Sequence, residues 1–387
     1  MRIIFIQDQP IYEYHGDFYH PKSANFFFRY LAGLKNSDKL TVYSAIISIT
    51  ESEKIKKYSK VNHPLIEYRK IPDSRNLKNL LGIFRNVKKI VVESDFCYLR
   101  SGLASSMAAY FCKKNNVPYM AIVNEDVYKN TKAHRSLFVR MTAYPLALLN
   151  RYMIGNANYA CYVTKEYLQS QYPCRGLVVG CSDVEFLDIN NDAIKNRNKR
   201  IDNHQGNVIL GSVGLLTTAI KGQDTVIKAI SELKKQGYSN YEYWLVGGGC
   251  KDRLFNLASS LGVEDQIRFL GEKSHDDVLK WFEGIDIYIH PSRSEGLPRT
   301  ILEAMTKATP CICSNVGGIP ELLDDNYLFE YNGNEISSLS SLIIKMTPVE
   351  MKIQAQKNFY KSKEYEPEVL EKIRSNFFSN AINTYRQ

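Results

Sequence analysis

Glu295 and Glu303 stand eight positions apart in SEGLPRTILEAM (294–305). One lies in a Gly-Pro turn, the other between the apolar pairs Ile301-Leu302 and Ala304-Met305. A carboxylate among residues that favour burial loses solvation and needs a partner or a ligand. Ionised, it accepts hydrogen bonds at both oxygens. That suits Glu303 to a vicinal diol such as a ribose, and Glu295, at the rim, to a sugar. Pro298 fits the first position of a helix running to about Lys307, where its missing N–H costs nothing. The N-terminus of such a helix is an anion site, and Gly296 lets backbone approach a ligand closely. The competing reading is two solvated glutamates near a helix start.

Other segments offer less chemistry by themselves. VGGGC (246–250) follows a strand and opens a helix, but Asp252 stands where G-x-G-x-x-G needs its third glycine, so a dinucleotide reading is weak. The eight cysteines form no C-x-x-C pair and no zinc spacing, and no metal site or disulfide framework is expected. Neither a Ser/His/Asp elbow nor an H-E-x-x-H appears.

The elements that must hold these residues alternate. Strand-like runs fall at 2–7, 39–45, 65–70, 95–100, 118–124 and 158–164, then at 207–213, 241–246, 266–270, 285–290 and 310–314. Helical segments such as 105–116, 224–237 and 275–284 separate them. Such alternation predicts βαβ units and parallel sheets. The expected architecture is α/β, with two Rossmann-like doubly wound domains facing across a cleft. They are bounded as 1–190 and 207–365, with a polar linker at 191–206 and a terminal helix at 366–387 packing back on the first domain. Ligands of these sheets bind at the carboxyl ends of the strands.

Composition narrows the setting. The net charge of +9 is uneven: residues 1–200 carry 30 Lys+Arg against 17 Asp+Glu, the rest 20 against 24. A basic front half suits an anionic partner. No nucleic-acid motif accompanies the charge, so nucleic acid is not the expected partner. No apolar run reaches the roughly 18 residues needed to span a bilayer, and MRIIFIQDQP reads as a buried first strand, not a signal peptide. The expected location is the cytoplasm. The segment 137–157 mixes apolar residues with Arg140 and Arg151, near Arg135. That pattern suggests peripheral docking on an anionic membrane at the inner face of the cell membrane; the plainer reading is a core helix.

The segment 294–305 resembles the E-x7-E motif of retaining glycosyltransferases of the GT-B fold, in particular the large family 4 (group 1). The resemblance covers residues 244–323, from WLVGGGC to GGIPELL, almost without gaps, and SVGLLTTAIKGQD (212–224) extends it upstream. It implies that Glu303 binds the nucleotide ribose and that Glu295 lies against the donor sugar near the reacting carbon. Gly296, Leu297 and Pro298 would present the helix N-terminus to sugar and diphosphate. Gly214 and Lys221 match the family's GRL…KG element, whose basic pair neutralises the leaving diphosphate. Leu215 takes the place of the arginine, with the spacing one residue longer. Arg293 or Arg299 is the candidate for the second charge. The turn at Gly247 would lie beside the nucleotide, and RFLG, with Leu270, would border the base.

In the first half the match is less specific. Gly16, in the loop QDQPIYEYHGDFYHPKS after the first strand, stands where family members often have a glycine loop. Tyr14 and His15 beside it are candidates for stacking on an acceptor. Asn124, Glu125 and Asp126 end the fifth strand, where a carboxylate orients the acceptor hydroxyl or takes its proton; a helix N-cap or solvated turn is the alternative. No D-x-D is present, so a metal-independent enzyme without cofactor is expected; the resemblance implies a nucleotide-sugar donor, UDP-linked by family frequency. The acceptor would be a glycan or lipid-linked glycan in surface polysaccharide assembly. The rivals are a non-catalytic scaffold, which Leu215 favours, and another GT-B enzyme such as a phosphorylase or sugar epimerase.

Overall fold

The structure is a computed structural model that describes residues 1–21, 26–56, 58–134, 136–184 and 188–386. The chain divides into two compact units, Met1–Asp183 with Leu370–Gln387, and Val184–Val369.

In the first unit the strands are β1 (Arg2–Ile6), β2 (Ile11–Tyr14), β3 (Asp17–His20), β4 (Lys39–Ser44), β5 (Ile46–Ser48), β6 (Ser59–Lys60), β7 (Ile66–Lys70), β8 (Phe96–Arg100), β9 (Tyr119–Val123), β10 (Tyr159–Tyr162) and β11 (Leu177–Gly180). Seven of them form a parallel sheet ordered β11-β10-β9-β8-β1-β4-β7. Strands covered on both faces read as continuous apolar runs, and β1, β8 and β9 bury nearly every side chain.

The remaining four make a small sheet, β5-β2-β3-β6, where the sequence reads as a loop. β2 and β3 form an antiparallel hairpin turned by His15 and Gly16, with φ of 50° and 82°. Two successive positive φ values are the signature of the tight turn that matches strand twist. Lys22 and Ser23, the end of that stretch, lie outside the described residues.

The second unit contributes β12 (Val208–Val213), β13 (Tyr241–Val246), β14 (Ile267–Phe269), β15 (Ile287–His290), β16 (Cys311–Ser314) and β17 (Leu328–Phe329). They form a parallel sheet ordered β14-β13-β12-β15-β16-β17, around a core that includes Leu210, Tyr243, Leu245, Ile287, Ile289 and Ile312. The order runs outward from β12 on one side and from β15 on the other. The reversal between them is the point where open parallel sheets hold their ligands.

Of two expectations about chain organisation, the linker changes and the returning terminal helix holds. The supposed linker at 191–206 holds a helix, Ala193–Asp202, within the second unit. Ala193, Arg197 and Ile201 are its buried contacts. The Arg197 guanidinium donates to the carbonyls of Ile285 and Phe282 at 2.6 and 2.7 Å and to Thr309 Oγ1 at 2.7 Å, while burial draws its pKa down to about 10. A helix whose central buried contact is an arginine looks polar throughout, which is why composition conceals it. The terminal helix is Pro367–Thr384, and from Leu370 onward it belongs to the first unit. Its Phe378 ring lies 5.6 Å from Tyr30 and 5.7 Å from Tyr98, and Arg374 donates to the Ser182 carbonyl at 2.8 Å.

Candidate functional site

The loops that follow β12 and β15 meet at the point of reversed strand order. After β12 the chain passes Gly214, makes a 3-10 turn at Ala219–Lys221, and enters the helix Gln223–Lys235 through Gly222. Gly222 has φ of 66°, and a Cβ there would run into the Pro291 carbonyl oxygen, so only glycine permits this closeness. A Cβ at Gly214 would crowd the Lys221 stem at 3.3 Å. The turn is tied to the next loop by Arg293 N donating to the Ile220 carbonyl at 2.7 Å and by Ser292 Oγ donating to it at 3.2 Å.

This brings Lys221 Nζ to 2.7 Å from Glu295 Oε1. His290 Nε2, at the end of β15, is 3.1 Å from the same oxygen, and His290 Nδ1 is 2.9 Å from the Tyr288 hydroxyl. Burial works to raise the pKa of Glu295, but the hydrogen bond from His290, with the hydrogen bond and charge of Lys221, outweighs it and holds the carboxyl well below its usual range. Glu295 is therefore ionised throughout the neutral and mildly acidic range.

Downstream, Gly296 accepts from Gly318 N at 2.7 Å, and a Cβ on Gly317 would collide with the Glu295 carbonyl oxygen. The GGIPELL glycines thus clamp the backbone that carries Glu295. Leu297 and Pro298 are buried. The helix is Arg299–Thr306, with Pro298 at its N-cap rather than at its first turn and with Lys307 at its C-cap. Extended backbone at Pro298 (ψ 118°) accounts for the one-residue shift. Glu303, on that helix, is mostly buried and has its Oε1 3.3 Å from His275 Nε2. At the next strand, Gly247 has φ of 153° and a Cβ there would meet the Gly214 carbonyl oxygen, so the VGGGC turn packs on the loop that leads to Lys221. Gly247 N donates to the Gly271 carbonyl at 2.9 Å, which sets half-buried Leu270 beside that turn.

The two arginine candidates separate. The Arg293 fork is taken by Asp224, with contacts of 3.0 and 2.8 Å, by the Ala219 carbonyl, and by the ring of Tyr331 at 5.0 Å. It fastens the Lys221 turn and is not aimed at a ligand. Arg299 is exposed at the helix start, and among the described residues no carboxylate pairs with it. Leu215 is 50% exposed.

In the first unit the candidates have structural work. Gly16 and His15 are the hairpin turn, with the Tyr14 and His15 rings 4.2 Å apart. Asn124, with its amide oxygen turned to Arg100, accepts from Nε and Nη2 at 3.2 and 2.7 Å. Asp126 is buried; it caps the helix Val127–Lys132 by accepting from Lys129 N at 3.1 Å, and it also accepts from the hydroxyls of Tyr167 and Tyr172 at 2.8 and 2.9 Å. Both oxygens are engaged, as the helix-cap alternative describes. Glu125 is exposed and accepts from Asn130 at 2.9 Å.

Sequence reasoning missed His290, Tyr288 and His275. The one available signal for the first two was the period of two that puts Tyr288 and His290 on one face of a strand ending at the site.

Comparison with known proteins identifies the family. The model for glycosyl transferases group 1 matches residues 194–361. The chain is 32% identical to Protein CapJ of Staphylococcus aureus over 350 residues, covering 89% of this chain and 85% of that protein. It is 34% identical over 122 residues, 30% of each chain, to the amylovoran biosynthesis glycosyltransferase AmsK of Erwinia amylovora. Among solved structures it is similar to Anabaena HepE in complex with UDP-glucose, at a TM-score of 0.63 and 19% identity, with 98% of this chain and 100% of that chain covered. That likeness shows the shared GT-B fold of two Rossmann-like parallel-sheet units. By its extended identity to CapJ and its match to the family model, the chain belongs to the glycosyl transferases group 1 family.

Proposed function

We propose that this glycosyltransferase is a retaining, metal-independent hexosyltransferase. It moves a sugar from a nucleotide-sugar, UDP-linked by preference, to a glycan or lipid-linked glycan during surface polysaccharide assembly. The observation that carries the reading is the Lys221–Glu295 pair, 2.7 Å apart, at the reversal of strand order between β12 and β15. Lys221 compensates the charge that develops on the leaving diphosphate. Glu295 faces the sugar, Glu303 takes the ribose hydroxyls in place of His275, and Arg299 supplies the second positive charge. In the transfer, the acceptor oxygen bonds to the anomeric carbon on the face the diphosphate leaves. The carbon–oxygen bond to the diphosphate breaks with its electron pair, and a diphosphate oxygen receives the acceptor proton. The UDP-glucose bound by HepE and the polysaccharide pathway named for AmsK support the donor and acceptor classes.

Thermal stability with UDP, GDP, ADP and CMP, without and with EDTA, tests the donor site. A ligand at about 100 times its dissociation constant adds roughly 2.7 kcal/mol. A shift with one nucleoside diphosphate, retained in EDTA and lost in Lys221→Ala and Glu303→Ala, is expected; no shift with any overturns the reading.

A second reading concerns the partner surface. On the helices Leu137–Met141 and Ala143–Gly155, Leu137 (68%), Phe138 (61%), Met141 (72%) and Tyr144 (65%) are exposed, with Leu148 and Leu149 continuing the ridge. Arg140 is exposed beside them, and Arg135 lies outside the described residues. No helix among the described residues is long and apolar enough to cross a membrane. An apolar ridge edged with positive charge fits peripheral docking on an anionic bilayer. Flotation with phosphatidylglycerol vesicles, lost in Met141→Glu, is the expected result; equal flotation of both proteins would dismiss the docking surface.

A further inference from the structure

Among the described residues, two side chains hydrogen-bond Glu295, and the proposed reaction treats them differently. Lys221 is a flexible cation from a turn, and a departing diphosphate competes with Glu295 for it. His290 cannot follow, because it is 3% exposed within β15 and its Nδ1 is held 2.9 Å from the Tyr288 hydroxyl. Tyr288 is completely buried, and burial pushes its pKa far up, so the phenol keeps its proton. Ionised Glu295 only accepts, so Nε2 is the ring nitrogen that donates and Nδ1 accepts from the phenol. Nε2 then carries the ring proton and points it at Glu295 Oε1, 3.1 Å away. The neighbours of Tyr288 and His290 on β16 are Cys311 and Cys313, buried thiols that bring no charge.

We propose that His290, fixed by Tyr288, is a positioning residue that keeps Glu295 oriented and ionised when Lys221 turns to the leaving diphosphate. The inference rests on the donor-site reading above and adds a residue pair to it. The groups that face Glu295 are the Lys221 ammonium, from the turn before the helix Gln223–Lys235, and the His290 imidazole beneath it. Arg293, on the same loop, is turned to Asp224, and the approach from the segment after β16 is the backbone of Gly317. Without His290, Glu295 would keep its burial and lose, during turnover, the one immobile donor it has among the described residues.

The test compares wild type with His290→Ala, His290→Gln and Tyr288→Phe. The titration of Glu295 is followed by infrared difference spectroscopy against Glu295→Gln, and kcat is measured against pH. The UDP-induced thermal shift reports on the fold of each variant. His290→Ala is expected to move the Glu295 titration and the acid limb of kcat upward, and to lower kcat about ten- to a hundredfold, the effect of one hydrogen bond to a charged group. KM for the donor should change far less. His290→Gln, whose amide still donates to Glu295, should recover most of the loss, and Tyr288→Phe should shift both readouts the same way by less. An unmoved titration in folded His290→Ala, or a glutamine variant no better than alanine, overturns the proposal. Failure of the donor-site reading looks different: wild type then shows no nucleotide shift and no transfer, while the infrared titration still reports whether His290 holds Glu295.

Discussion

The two units treat their polar residues differently. In the second unit, a lysine from the turn after β12 and a histidine from the end of β15 converge on one oxygen of Glu295, and glycines at 214, 222, 247 and 317 let the backbones approach closely enough for that. In the first unit, the residues that looked equally chemical are spent on structure. Asp126 ties two tyrosines to a helix start, Asn124 is bonded to Arg100, and His15-Gly16 turn a hairpin. The lesson is that a polar residue at a strand's carboxyl end is a candidate only while its hydrogen-bonding atoms remain available. A convergence of opposite charges from different loops is the stronger sign of a site, because burying such a pair is costly unless geometry compensates.

Three substitutions would break or sharpen that contrast. The largest effect is expected from Lys221→Ala, which removes the charge opposite the leaving diphosphate and should lower kcat by about 10²- to 10³-fold with the fold intact by circular dichroism. A loss of less than about tenfold would deprive the second unit of its claimed convergence. Next, Asp126→Ala should act on stability, lowering it by about 2–4 kcal/mol through loss of a helix cap and two buried hydroxyl partners. The midpoint of chemical denaturation measures this. If Asp126→Ala kept its midpoint and lost turnover, the distinction between the units would fail. The smallest effect is at the hairpin: Gly16→Val forces a branched residue to positive φ and should cost about 1–2 kcal/mol, visible as a modest fall in Tm. No fall would mean that the turn relaxes to another type.

pH offers a further check on the second unit. Glu295 has its pKa depressed in the fold, so its contribution to stability is complete above its ordinary value of 4.5 and is lost as pH falls below it. Glu295→Gln should therefore flatten the fall of Tm in that acidic window.

The legible parts of the molecule were those with local causes. Strand–helix alternation announced both parallel sheets, and the spacing of Glu295 and Glu303 around a Gly-Pro turn placed them at a strand's carboxyl end. Lys221 was legible as a charge, but its contact with Glu295 depends on β12 and β15 being neighbours, which strand order in space decides and the chain does not spell out. The partners of Asp126 come from 41 and 46 residues away, so its role as a cap could be stated only as an alternative. The hairpin escaped because His-Gly is not the usual turn pair and its flanking tyrosines read as a binding loop. The helix Ala193–Asp202 escaped because its anchoring residue is an arginine.

The placement of residues 370–386 has a consequence for how the protein is made. Phe378 lies in the aromatic cluster with Tyr30 and Tyr98, and Arg386 pairs with Asp38 at 2.6 Å, so the first unit takes in residues synthesised after the whole of the second. The second unit, Val184–Val369, is continuous in the chain and has its own strands in hand before those residues are made. During synthesis Met1–Asp183 must wait, nearly complete, for the rings of the helix Pro367–Thr384, which makes that helix a costly place for a disruptive substitution.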